Sequence, residues 1–202
     1  MSHDQSKPLT MKLYYYFFLI VAVMPSCKVQ DLPAPGFDPQ MRYTDLQNAE
    51  MKQDQPFSLD IDGDGLIDFS LNTKLVGDPI LQLDRLQFIV HSKIGAKLLI
   101  NNNDQSPILN KGDKITLTYT GYEWFQPSSI VLVEKITGMT EPIHWAGLWK
   151  YADHQYLPVQ LKKNGKLYNG WIELSFESLS EKLLVHKTAI STEAGKEIKA
   201  GY

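Results

Sequence analysis

The chain has 202 residues, with 20 basic and 23 acidic side chains and a formal net charge of −3. That mild acidity, with no basic stripe, argues against a nucleic-acid partner. The single cysteine excludes an internal disulfide framework, so a packed core must hold whatever fold forms.

Residues 1–10 are polar and carry no structural signal, and Met11-Lys12 offers a second possible start. Leu13 to Met24, LYYYFFLIVAVM, is a continuous apolar run of 12 residues. It is too short to span a bilayer and suits the core of a signal peptide. Pro25-Ser26-Cys27 follows it directly. This stretch resembles a bacterial lipoprotein signal. Residues 1–26 are therefore expected to be a leader and lipoprotein signal peptide, with Cys27 as the lipidation site. Acyl chains at about 0.8 kcal/mol per buried methylene would hold the protein on a membrane. The expected location is the bacterial cell envelope, at the outer membrane. Residues 27–55, rich in Pro, Gln and Asp, read as a lipid-attached linker. Within it, Met41 to Met51 is a candidate short helix.

Chemistry is most legible in Asp60-Ile-Asp-Gly-Asp-Gly-Leu-Ile-Asp68. Carboxylates crowded this way repel one another. At about 5 Å and an effective dielectric of about 20, each pair costs about 3 kcal/mol. A hard cation converts the repulsion into ligation, and calcium takes six to eight oxygens in a flexible geometry. The spacing makes Asp60, Asp62 and Asp64 ligands at positions 1, 3 and 5. Gly65 supplies the sharp turn, Leu66 offers its carbonyl, and Asp68 completes the set. An EF-hand is excluded because its twelfth position is Leu71, where a bidentate Glu is required. The flanks alternate as strands do, so the loop resembles the shorter calcium loops of dockerins, thrombospondin type 3 repeats and integrin-type propeller blades. A single copy argues against a repeat array. The expected cofactor is one structural Ca2+.

From residue 56 to 202 the pattern is short strands separated by turns. Candidate strands are Ile80–His91, Ala96–Asn101, Lys114–Thr120, Ile130–Ile136, Ile143–Lys150, Tyr156–Lys162, Lys166–Phe176 and Lys182–Ile190. Lys163-Asn-Gly-Lys166 is the clearest hairpin signal, because Asn-Gly suits a type I′ turn. No segment carries a long apolar period of 3.6. The expected fold is all-β, a two-sheet β-sandwich of jelly-roll type, with a β-barrel as the alternative.

Three stretches together carry a resemblance. They are the early Asp-rich loop ending in Phe69, the late Tyr168-Asn-Gly-Trp171 strand, and the closing Ile198-Lys-Ala-Gly201. In these the chain resembles a loose class of secreted and surface lipoproteins of Bacteroidetes and other Gram-negative bacteria. The resemblance implies an envelope location and a β fold, and brings no catalytic residues.

Catalytic constellations are weak. His3, His91, His144, His154 and His186 show no zinc-ligand spacing. Asp153-His154 offers a base without a nucleophile elbow. Glu134, Glu141 and Glu173 are candidates for a glycosidase pair only if folding brings two of them together. Aromatic residues are the better hint. Trp124 and Phe125 crowd one turn with Tyr122, and Trp145 and Trp149 crowd another with Tyr151. Such rings stack on sugars when exposed and fill the core when not. The expected function is therefore that of a calcium-stabilised structural or binding protein whose ligand is a glycan or an envelope protein. The alternative is a carbohydrate-active hydrolase.

Overall fold

Leu157, Val159 and Leu161 alternate with Tyr156, Pro158 and Gln160 along one segment. In the computed structural model, which describes residues 38–139 and 142–202, the first set enters the main core. The second set lies on the opposite face of its sheet, as a strand's period of two requires. The expected all-β sandwich is what this alternation builds.

Thirteen strands occur among the described residues. They are β1 (Met41–Met51), β2 (Phe57–Leu59), β3 (Phe69–Asp78), β4 (Leu83–Ser92), β5 (Ala96–Ile100), β6 (Lys114–Ile115) and β7 (Glu123–Phe125). After these come β8 (Ser129–Gly138), β9 (His144–Ala146), β10 (Gln155–Lys163), β11 (Lys166–Glu177), β12 (Lys182–Ser191) and β13 (Ile198–Lys199). The first sheet has the order β1-β12-β11-β10-β5-β7, and the second β2-β3-β4-β8-β9. All pairings are antiparallel. The chain crosses between the sheets after β1, β4, β7 and β9, so both sheets contribute to one core that includes Phe69, Phe88, Leu98, Leu132, Ile172 and Val185.

A smaller second core covers the outer face of the first sheet. There Tyr156 meets Trp171 edge-on at 5.1 Å, beneath Leu109, Ile115 and Ile198. The β6–β13 ribbon forms the lid. Trp171 is 2 % exposed and donates its indole N–H to the Tyr202 carbonyl at 3.4 Å. Burying a ring of that size removes about 200 Å² from water, worth about 5 kcal/mol gross.

Local chemistry explains several details. Asn164 and Gly165 have φ of 50° and 76°, both positive as the type I′ turn requires, and Lys163 faces Lys166 across it. Gly170 is a close-approach glycine: a Cβ there would lie 2.5 Å from the Ala189 carbonyl oxygen and 2.7 Å from Ile190 Cδ1. Pro158 sits mid-strand without disrupting the ladder. Its missing N–H falls between the Tyr156–Leu109 bridge and the start of the β5 pairing at Val159.

Three expectations are corrected. Met41 to Met51 is not a helix but an edge strand of 11 residues, paired with β12 from Met41↔Ser191 to Met51↔Leu183. Its ladder is formed with chain about 140 residues away, and that tertiary partner overrides local preference. The compact unit accordingly begins at Asp38, inside the stretch read as linker. Second, the candidate strand Lys114–Thr120 shortens to Lys114–Ile115, because its partner β13 offers only two residues. Third, Ile143–Lys150 is broken after Ala146. Gly147 takes φ 101°, and the chain turns into a 3-10 segment, Leu148–Tyr151. The leader and Cys27 lie outside the described residues.

Candidate functional site

The acidic loop joins β2 to β3, which pair Leu59↔Phe69 at its base. Asp68 N–H donates to the Leu59 carbonyl at 2.8 Å, and Ile61, 1 % exposed, roots the loop in the core. The carboxylates organise the turn. Asp60 Oδ1 accepts the N–H of Gly63 at 2.7 Å and of Asp64 at 3.2 Å, and Asp60 Oδ2 that of Gly65 at 2.8 Å. Asp68 Oδ2 accepts Ile61 N–H at 2.9 Å, and Asp64 Oδ1 accepts Leu66 N–H at 2.9 Å. Oxygens of Asp60, Asp62 and Asp68 all lie within 4.8 Å of one another. Asp64 stands outside that trio, and the Leu66 side chain is exposed.

Two basic groups approach from the first sheet. The Lys163 ammonium, on β10, pairs with Asp62 and lies 2.9 Å from Asp64 Oδ2. The Arg42 guanidinium, on β1, donates to the Asp62 carbonyl. The Lys163 hydrogen bond, with a second from Leu66 N–H, holds the Asp64 carboxyl below the usual range. Burial disfavours charge on Lys163, but Asp62 and Asp64 outweigh it and raise its pKa. Asp68 goes the other way. Burial, then repulsion from Asp62, Asp60 and Asp64, pushes its carboxyl up to about 6, against the opposing Ile61 hydrogen bond. Lys163 thus neutralises one side of the loop and leaves the Asp68 side carrying excess negative charge. The donor set is entirely hard oxygen, and it fits a calcium ion better than a transition metal.

A cleft of about 940 Å³ opens at the other edge of the first sheet, beside β7. Gly121, at φ 78°, turns the chain between Tyr119 and Tyr122. This brings Tyr119 edge-on to Trp124 at 6.4 Å. Trp124 Nε1 donates to the Thr116 carbonyl at 3.3 Å, and the Tyr119 hydroxyl donates to the Lys114 carbonyl. Burial pushes the Tyr119 hydroxyl up to about 12, so it stays neutral. Phe125 is 48 % exposed on the wall. Gln160, fully buried, lines the floor. Its Nε2 donates to Asn169 Oδ1 at 3.0 Å, and Asn169 Nδ2 donates on to the Lys196 carbonyl at 2.7 Å. Among the described residues Gln160 Oε1 has no donor.

The second aromatic pair does not join this cleft. Trp145 packs between the sheets, 4.8 Å from Phe176 and 6.1 Å from Phe88, while its neighbour His144 is exposed. Trp149 is 1 % exposed within the main core. The reading of Trp149 as a ligand contact is therefore corrected: Gly147 bends the chain and the 3-10 turn drives the ring inward. Nor do Glu134 and Glu173 form a pair. Glu134 accepts hydrogen bonds from Arg85 and Gln87, on the outer face of the second sheet. Glu173 alternates with the core residues Ile172 and Leu174, on the outer face of the first. The core separates them. Glu141 lies outside the described residues.

One cluster escaped the sequence reading. His154 and His186 stack at 4.1 Å. His154 Nδ1 meets Glu173 Oε1 at 2.7 Å, His186 Nε2 meets Ser175 Oγ at 2.8 Å, and His186 Nδ1 meets Asn48 Oδ1 at 2.7 Å. Burial, then repulsion from His154, lowers the His186 pKa. Asp153-His154 was visible in the sequence. Its partners arrive from β1, β11 and β12, through ladder irregularities at Asp45/Ala49 and Glu173/Leu174 that no spacing rule reveals. No family model matches the chain, and neither does any curated protein or solved structure, so the reading of its sites rests on this geometry alone.

Proposed function

We propose that the protein is a lipid-anchored, calcium-stabilised β-sandwich of the bacterial envelope with a binding role, and that its ligand is a glycan held in the cleft beside β7. The observation that carries the reading is the cleft itself. Tyr119, Tyr122, Trp124 and Phe125 line it together with the amides of Asn101 and Asn102, the hydroxyls of Ser128 and Ser129 and the carboxylates of Asp104 and Glu123. A sugar has the matching surface, with C–H faces that stack on rings and hydroxyls that exchange hydrogen bonds. A protein partner would call for a larger, flatter apolar area.

Phe125 is the wall residue to remove, because it is half exposed and belongs to neither core. Phe125→Ala is expected to weaken retention in polysaccharide-loaded gels about tenfold and to leave the melting temperature within about 2 °C of the parent, as a surface substitution should. Unchanged retention would remove the cleft as the glycan site. For the anchor, Cys27→Ala is expected to move the protein from the membrane fraction to the soluble one; continued sedimentation with membranes would refute lipid attachment.

The hydrolase alternative has one observation in its favour, the Ser175–His186–Asn48 chain of hydrogen bonds. Its geometry supplies a base for a serine. However, Ser175 sits mid-strand, paired with Leu184, where neighbouring amides are committed to the ladder and not free to hold an oxyanion. Its hydroxyl also accepts the His154 N–H at 2.8 Å. Those features make the cluster a polar lock between β1, β11 and β12.

A further inference from the structure

We infer that the cleft beside β7 selects neutral, hydroxyl-rich glycans and discriminates against acidic ones, an inference that rests on reading the cleft as a glycan site. Its lining is rich in acceptors. Asp104 and Glu123 bring two carboxylates to it, and Lys97 one ammonium. Among the described residues neither carboxylate forms an ion pair, so their charge faces the cleft uncancelled. Glu123 is fixed there by the ladder, opposite Ile100, one residue before Trp124. A uronic acid stacked on Trp124 or Phe125 would bring its own carboxylate into this field, with Lys97 able to offset only one of the two.

The test is affinity electrophoresis of the full chain in detergent, through gels loaded with neutral polysaccharides (xyloglucan, laminarin, mannan) or acidic ones (polygalacturonate, alginate). Retardation by at least one neutral polymer is expected, with binding to the acidic polymers about tenfold weaker at low salt. The double variant Asp104→Asn/Glu123→Gln should narrow that gap, read as the ratio of acidic to neutral binding within each protein, because it removes charge while keeping shape. Retardation by the acidic polymers as strong as by the neutral ones would overturn the selectivity and leave the glycan reading standing. The same holds if the gap is unchanged in the double variant. If no polymer in either set retards the protein, the glycan reading falls and the selectivity falls with it.

Discussion

Replacing Trp149 by alanine is expected to cost about 3–5 kcal/mol, lowering the melting temperature by about 10 °C for a domain of this size. Trp149 is among the largest fully buried side chains, and it enters the core from a single 3-10 turn. Gly147 makes the turn possible: a Cβ there would lie 2.5 Å from the Leu132 carbonyl oxygen and 3.0 Å from Val133 Cα. The surrounding strands β8 and β11 are locked by their ladders and cannot collapse into the space a removed indole leaves. Trp149→Phe should behave differently. Among the described residues the buried indole N–H has no acceptor, so phenylalanine removes an unsatisfied donor as well as some volume. A cost within about 1 kcal/mol is expected for it, measured by chemical denaturation. An alanine variant that melts like the parent but loses ligand would return Trp149 to the binding surface and contradict its placement.

Calcium at 100 times its dissociation constant is expected to add about 2.7 kcal/mol to the stability of residues 38–202, a rise of about 5–10 °C in melting temperature. The reason lies in the uneven charge of the loop. Lys163 covers Asp62 and Asp64, while Asp68 faces Asp60 and Asp62 and pairs with no cation among the described residues. Burial first, and then repulsion from Asp62, Asp60 and Asp64, lifts the Asp68 carboxyl, and an ion placed among those three oxygens relieves the repulsive part. Asp62→Ala should abolish the difference between calcium and chelator, judged within the variant so that its own stability does not enter. Lys163→Met should tighten calcium binding about fivefold, because the ammonium competes for the same carboxylates. A melt that is unmoved by millimolar calcium would reduce Asp60–Asp68 to an acidic turn stabilised by Lys163.

These two experiments probe features of different legibility. The acidic loop could be read from spacing, since Asp60, Asp62 and Asp68 are neighbours in sequence and their oxygens converge through local turns. Lys163 could not, because it arrives from about 100 residues downstream on the type I′ hairpin. The aromatic pairs show the same division. Trp124-Phe125 and Trp145…Trp149 look alike as sequence. One pair lines a cleft at a sheet edge; of the other, Trp145 is set against the main core by the β8–β9 ladder and Trp149 is carried into it by the turn after Gly147.

The properties legible along the chain are those that depend on immediate neighbours. These are the alternation that makes strands, the Asn164-Gly165 turn, and the carboxylate loop at the β2–β3 junction. Periodicity and turn chemistry are local, and they survive without knowledge of the fold. Strand pairing across the fold makes Met41–Met51 an edge strand, leaves the Gln160 amide oxygen without a donor among the described residues, and brings His154 and His186 into a stack beside Ser175. Each of those depends on which strand lies beside which. A period of two fixes the face a residue occupies and says nothing about the strand it will meet there.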